Sequence, residues 1–204
     1  MKQTIRLITA VFLMSLTGIA FASADAAAGK EKSAACSGCH MPDGNSVVPT
    51  FPKLAGQGAK YIAKQLADFK ANTTRQNPVM LGMVAALSEQ DMADLGAWFA
   101  SQKLASAAPY DESKLALGQE IFKGGVLATG VPACQGCHGP TGAGNAPAGY
   151  PQIGGQYTDY TINQLKAFKD GSRSNDDRQV MRLAVASLSD DEIVAVANYI
   201  ASLK

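Results

Sequence analysis

Two pentapeptides, Cys36-Ser37-Gly38-Cys39-His40 and Cys134-Gln135-Gly136-Cys137-His138, hold all four cysteines and both histidines of this 204-residue chain. They lie 98 residues apart, and the likeness extends well beyond them. Phe51-Pro52-Lys53-Leu54-Ala55-Gly56-Gln57 pairs with Tyr150-Pro151-Gln152-Ile153-Gly154-Gly155-Gln156, and Tyr61, Gln65, Leu66, Phe69 and Lys70 pair with Tyr160, Gln164, Leu165, Phe168 and Lys169, all at an offset of 99. After a two-residue length change, Met80, Leu87, Ser88, Trp98 and Ser101 fall on Met181, Leu188, Ser189, Tyr199 and Ser202 at offset 101. The chain is a tandem duplication. Two units are too few for a stacked array, so each unit is expected to have its own core.

Apolar residues recur at helical spacing in both copies: Ile62, Leu66 and Phe69, then Leu95, Trp98 and Phe99, with Ile193, Val196 and Ile200 in the second. The last helix of each copy opens on a capping-box pattern, Ser88 to Asp91 and Ser189 to Glu192, of which only the second has the favoured Glu. Strand signals are weak. Gly and Pro cluster instead at Met41–Gly58 and Gly139–Gly155, loops long enough to fold over something that is not protein. The expected fold is all-α: a first domain over 25–101, a linker over 102–109 rich in Ala and Ser, and a second domain over 110–204. Each domain is small and loop-rich, which makes a self-sufficient core marginal and a large apolar cofactor the natural remedy.

Residues 1–24 read as an export signal. Lys2 and Arg6 precede an apolar run from Leu7 to Ala22, and Ala22-Ser23-Ala24 is a small-residue cleavage site, placing cleavage near Ala24. The run is shorter than a spanning helix needs and contains Thr9, Ser15 and Thr17. Nothing after Asp25 matches its hydrophobic length, so the mature chain is expected in the periplasm, soluble or peripherally associated with a membrane. The net charge of +1 falls to −1 once Lys2 and Arg6 leave, which gives no field for nucleic acid. The charge is uneven: residues 25–108 sum to +1 and 109–204 to −2.

In C-x-x-C-H the two thiols add across haem vinyl groups as thioethers, and one helical turn presents the adjacent His to the iron. Cys36, Cys39, Cys134 and Cys137 are therefore read as covalent attachment points, with His40 and His138 as proximal ligands. Paired disulfides give no reason for His to follow both pairs, zinc lacks its fourth ligand, and a redox dithiol expects a preceding strand. No second histidine exists for the iron's sixth position, so methionine is the candidate there. Met181 is the only methionine after Tyr110. In the first copy Met41, Met80, Met83 and Met92 compete, and the duplication selects Met80: it precedes Leu87 by seven residues as Met181 precedes Leu188, whereas Met83 falls opposite Ala184. Pro52 and Pro151 stand where a backbone carbonyl could hold the free nitrogen of each imidazole; spacing alone equally allows that they only shape a loop.

With the tandem C-x-x-C-H motifs, the Phe-Pro-Lys-Leu-Ala-Gly-Gln run and the paired methionines, the chain resembles the dihaem cytochrome c4 family from about Gly29 to Leu203. The resemblance implies two tandem class I cytochrome c domains related by approximate twofold symmetry, each wrapped around one covalently bound haem c. It implies His40 and Met80 on one iron, His138 and Met181 on the other, and favours the Pro52 and Pro151 carbonyls as histidine partners. It further implies a non-enzymatic periplasmic electron carrier, working between a membrane quinol-oxidising complex and a terminal oxidase. The alternative is a dihaem subunit of a flavocytochrome-type sulfide dehydrogenase, paired with a flavoprotein subunit. One departure stands out. Class I domains often pack a Gly-x-x-x-aromatic motif of the first helix on the last; Gly118 to Phe122 fits, but Gly29 is followed by Ser33, which puts the first copy's helix crossing in doubt.

Overall fold

A computed structural model describes residues 23–105 and 107–203; the leader expected over 1–24 falls almost wholly outside them. The described residues of the first half form α1 (Ala26–Lys32), α2 (Ser37–His40), α3 (Ala59–Ala71), α4 (Pro78–Val84) and α5 (Glu89–Ser101). The second half repeats the order with α6 (Leu115–Gly124), α7 (Gln135–His138), α8 (Thr158–Asp170), α9 (Val180–Val185) and α10 (Asp190–Ser202). Pairing of extended backbone is limited, among the described residues, to three isolated bridges.

In each half the first helix crosses the last, α1 on α5 and α6 on α10. Glycine permits the approach: a Cβ on Gly29 would stand 2.0 Å from the Asp94 carbonyl oxygen, and one on Gly118 2.2 Å from that of Ala195. The second crossing adds the Phe122–Tyr199 ring pair, with centroids 5.3 Å apart. The first manages without an aromatic at Ser33, which is buried with its hydroxyl donating to the Lys30 carbonyl at 2.7 Å. Asp94 ties α1 down instead, accepting from the Asp25 N–H at 2.9 Å and from Lys32 Nζ at 3.2 Å. Lys30 adds a contact 5.6 Å above the Trp98 ring. The departure from the family motif therefore leaves the crossing intact.

Both capping boxes close, Asp91 doing for Ser88 what Glu192 does for Ser189. Lys70 and Lys169 repeat a second tether, each ammonium donating to the carbonyl just before a box, at Leu87 and Leu188.

The cores are unequal. In the second half nine buried side chains, among them Phe122, Phe168, Val131 and Ile193, form one cluster. In the first half the corresponding cluster is Ile62, Leu95 and Phe99. Part of the difference comes from the extra stretch after α6, where the bridge between Val126 and Val131 folds a turn back so that both pack with Cys134 on the second cluster.

The halves meet face to face through reciprocal polar contacts. Arg75 donates to the Tyr160 hydroxyl at 2.9 Å, and Arg173 to that of Tyr61 at 3.0 Å. Both guanidinium groups are buried, each stacked on its own half's phenyl ring, Phe69 or Phe168, at 4.3 Å. Gln65 accepts from Arg75, from Arg173 and from Asn175. Around this pair Tyr157 donates to the Ser46 carbonyl at 2.7 Å, and Ala108, between the halves in sequence, is buried beside Tyr157 and Ala201.

Gly29→Ala and Gly118→Ala are each expected to lower unfolding free energy by about 1–3 kcal/mol, since the helices must separate to admit a methyl group. Denaturant titration of the holoprotein followed by circular dichroism measures the loss.

Candidate functional site

Each C-x-x-C-H pentapeptide forms one helical turn, α2 or α7, with the first cysteine as N-cap and the histidine as its last residue. No disulfide joins the four cysteines, and all are half-buried. Burial pushes the Cys134 thiol up to about 11 and raises that of Cys36 as well, so neither is the activated thiolate of a redox dithiol. Among the described residues no group of three or more His, Cys, Asp and Glu side chains is arranged to hold a bare metal ion, so the zinc reading finds no support.

Both imidazoles are buried and oriented alike. His40 Nδ1 lies 2.9 Å from the Pro52 carbonyl oxygen, and His138 Nδ1 lies 2.9 Å from that of Pro151. A carbonyl only accepts, so the contact requires the proton on Nδ1 and leaves the Nε2 lone pair for a metal. Burial lowers the proton affinity of both rings, against the opposing pull of the carbonyls, and keeps them in the neutral form that ligates. The residue before each proline packs edge-on against the ring, Phe51 at 6.3 Å from His40 and Tyr150 at 6.2 Å from His138. The ring is thus held by a hydrogen bond and by an aromatic wall.

The competing methionines separate by environment. Met92 is buried in α5, Met83 is 42% exposed, and Met41 is 37% exposed directly after His40. Met80 is half-buried in α4, whose start is capped by Asn77 accepting from the Met80 N–H at 3.0 Å. Met181 is half-buried in α9 and packs on the same apolar cluster as Cys134. The entry to α9 differs: Arg178 and Gln179 both take left-handed backbone angles. Asp176 compensates, accepting from the Arg182 N–H at 3.0 Å and from its Nε at 2.8 Å.

These residues suit a haem on two counts. Two half-buried thiols precede a neutral, oriented imidazole on one turn. A half-buried thioether stands on a separate helix of each half. At the junction the buried guanidinium groups of Arg75 and Arg173 donate to neutral side chains, and the Asp68 carboxylate, which accepts from Asn175 at 2.6 Å, acts on Arg173 from nearby. No local pattern in the sequence marks Arg75, Arg173 or the aromatic wall, and Gln57 and Gln156 stand there only as part of the repeat. The survival of identical polar residues at Gln57 and Gln156 was the available signal.

The cytochrome c family model matches this chain twice, over residues 26–103 and 115–204. Cytochrome c4 of Azotobacter vinelandii is 46% identical over 206 residues, spanning 97% of this chain and 98% of that protein. A thiosulfate dehydrogenase electron acceptor of Stutzerimonas stutzeri (strain A1501) is 36% identical over 172 residues, 83% of this chain and 79% of that one. Among solved structures, reduced recombinant cytochrome c4 from Pseudomonas stutzeri aligns with a TM-score of 0.85 at 46% identity, covering 89% of this chain and 100% of that one.

The residue after each histidine has a positive φ, 64° at Met41 and 77° at Gly139, with an extended ψ that favours glycine. Met41→Gly is expected to raise stability by about 1 kcal/mol. It should leave the holoprotein's far-red methionine-to-iron band in place. Thermal unfolding and absorption spectra of the variant check both.

Proposed function

Since this chain belongs to the cytochrome c family and, within it, to the dihaem cytochromes c4, we propose that it shuttles electrons in the periplasm from a quinol-oxidising complex to a terminal oxidase. It is an electron-transfer cytochrome with two covalently bound haem c groups. When bound, each haem supplies an iron that gains and loses one electron. Cys36 and Cys39 would hold the first by thioethers and Cys134 and Cys137 the second; His40 and His138 would ligate the irons from the attachment turn, and Met80 and Met181 from another helix of each half. The observation that carries this reading is the paired set in each half: an imidazole fixed by a carbonyl, and a half-buried methionine on another helix. With a histidine and a methionine of the chain both held to each iron, the site would serve electron transfer.

The protein's own work is to limit rearrangement. A ring pinned at Nδ1 and walled by Phe51 or Tyr150 keeps its orientation as charge changes. A neutral thioether favours the ferrous state, and burial, which disfavours added charge, acts in the same direction. An export leader over residues 1–24 fits this location, and no described helix is long and apolar enough to cross a membrane.

A second reading rests on the 36% identity to a thiosulfate dehydrogenase electron acceptor: the chain takes its electrons from a dehydrogenase of sulfur compounds, a flavocytochrome-type sulfide dehydrogenase included. Purification from the native host separates the two. A free cytochrome reduced by quinol-oxidising membranes and reoxidised by their oxidase supports the shuttle. Co-purification with such a dehydrogenase, and no reduction by membranes, overturns it.

Met80→Ala and Met181→Ala are each expected to remove half of the far-red methionine-to-ferric-iron absorption and to lower one reduction potential, whereas Met83→Ala spares both. Absorption spectra with a redox titration decide it. Loss of the band in Met83→Ala alone would reassign the first distal ligand.

A further inference from the structure

A peptide group can bond at both ends, and one peptide in each half of this protein does so across the domain junction. The Pro52 carbonyl accepts from His40 Nδ1 at 2.9 Å, while the N–H of that same peptide, on Lys53, donates to Gln156 Oε1 at 3.0 Å. The mirror arrangement has the Pro151 carbonyl accepting from His138 Nδ1 at 2.9 Å and the Gln152 N–H donating to Gln57 Oε1 at 3.0 Å. Each glutamine belongs to the half opposite the histidine. Each also closes a second bond to the loop it grips, Gln156 Nε2 to the Lys53 carbonyl at 3.0 Å and Gln57 Nε2 to the Gln152 carbonyl at 2.8 Å. The side chains are held by a further acceptance from their own backbone, from the Tyr157 N–H at 3.0 Å and the Gly58 N–H at 2.9 Å.

Hydrogen bonds at the two ends of an amide reinforce one another. Donation by the N–H makes the carbonyl oxygen more negative. A more negative oxygen draws the Nδ1 proton harder and makes Nε2 a stronger donor to iron. We propose that Gln156 tunes the proximal ligand of the first domain and Gln57 that of the second, so that each domain sets part of the other haem's reduction potential. This rests on His40 and His138 being the iron ligands. The bond stabilises the ferric state, so its loss raises the potential of the iron across the junction.

Redox titration of the holoprotein by proton NMR follows each iron separately through the iron-shifted ring protons of His40 and His138. Gln156→Leu is expected to raise the reduced-to-oxidised ratio of the His40 iron about threefold at fixed potential, about 30 mV at 59 mV per tenfold for a one-electron couple, and to leave the His138 iron unchanged. Gln57→Leu gives the reverse pattern. Gln156→Glu places a stronger acceptor on the Lys53 N–H and shifts the His40 iron the other way. Three results overturn the proposal: no shift, a shift of the substituted domain's own iron, or an equal shift of both irons in both variants, as an opened junction would give. If the unaltered protein shows no iron-shifted histidine protons, the ligand assignment fails and the proposal with it. Shifted protons with the wrong pattern sink the proposal alone.

Discussion

The bond from each histidine to a proline carbonyl, 2.9 Å in both halves, is the contact on which the rest of the arrangement depends. It fixes the tautomer, and so decides which nitrogen faces the iron. To offer that carbonyl, the loop after each C-x-x-C-H turn must run back beside the turn, and proline, whose ring locks φ, makes the chain stiff there. The residue before the proline is thereby carried against the ring, where an aromatic fits. The residue after it is carried to the other domain. One peptide thus connects the iron ligand, the loop and the junction.

The two copies solve the same problem with different means, and the first has less polypeptide to rely on. Its buried apolar cluster is three residues against nine in the second, so the covalently bound macrocycle must furnish a larger share of its interior. The first copy compensates with charge where the second uses hydrophobic contact. Asp94 and Lys32 hold α1 in place, where Phe122 and Tyr199 hold α6. At the methionine helices the order is reversed: Asn77 caps α4 directly, while α9 follows two left-handed residues and needs Asp176 and Arg182 to secure it.

Patterns within one turn or one loop were legible in the sequence, because spacing along the chain dictates them. The C-x-x-C-H turns, the helical faces and the boxes at Ser88 and Ser189 are of this kind. The helix carrying Met80 was legible through the duplication as the counterpart of the one carrying Met181, since the distance to Leu87 repeats at Leu188. Ser33 misled in a small way: an aromatic is one means of closing a helix crossing, and a local motif could not show that Asp94, distant in sequence, supplies another. The junction was not legible. Its partners are about a hundred residues apart, and the register of the repeat shifts near Arg75 and Arg173, so that the equivalent arginines do not align at the offset of their neighbours.

The junction also explains why a duplicated chain is more than two carriers on a tether. Reciprocal contacts between two copies of one surface form a self-complementary interface, residue for residue, as Gln57 with Gln152 and Gln156 with Lys53 illustrate. Such an interface brings equivalent residues close to the symmetry axis, and here those residues are Arg75 and Arg173, like charges joined by a backbone bridge. Left alone, two buried cations oppose the association. Stacking on Phe69 and Phe168, bonds to the tyrosine hydroxyls, the acceptor shared at Gln65 and the Asp68 carboxylate bonded to Asn175 offset that cost. Neither half alone supplies this set: Arg75 takes Tyr160, and Arg173 takes Tyr61 and Gln65, each from the other half.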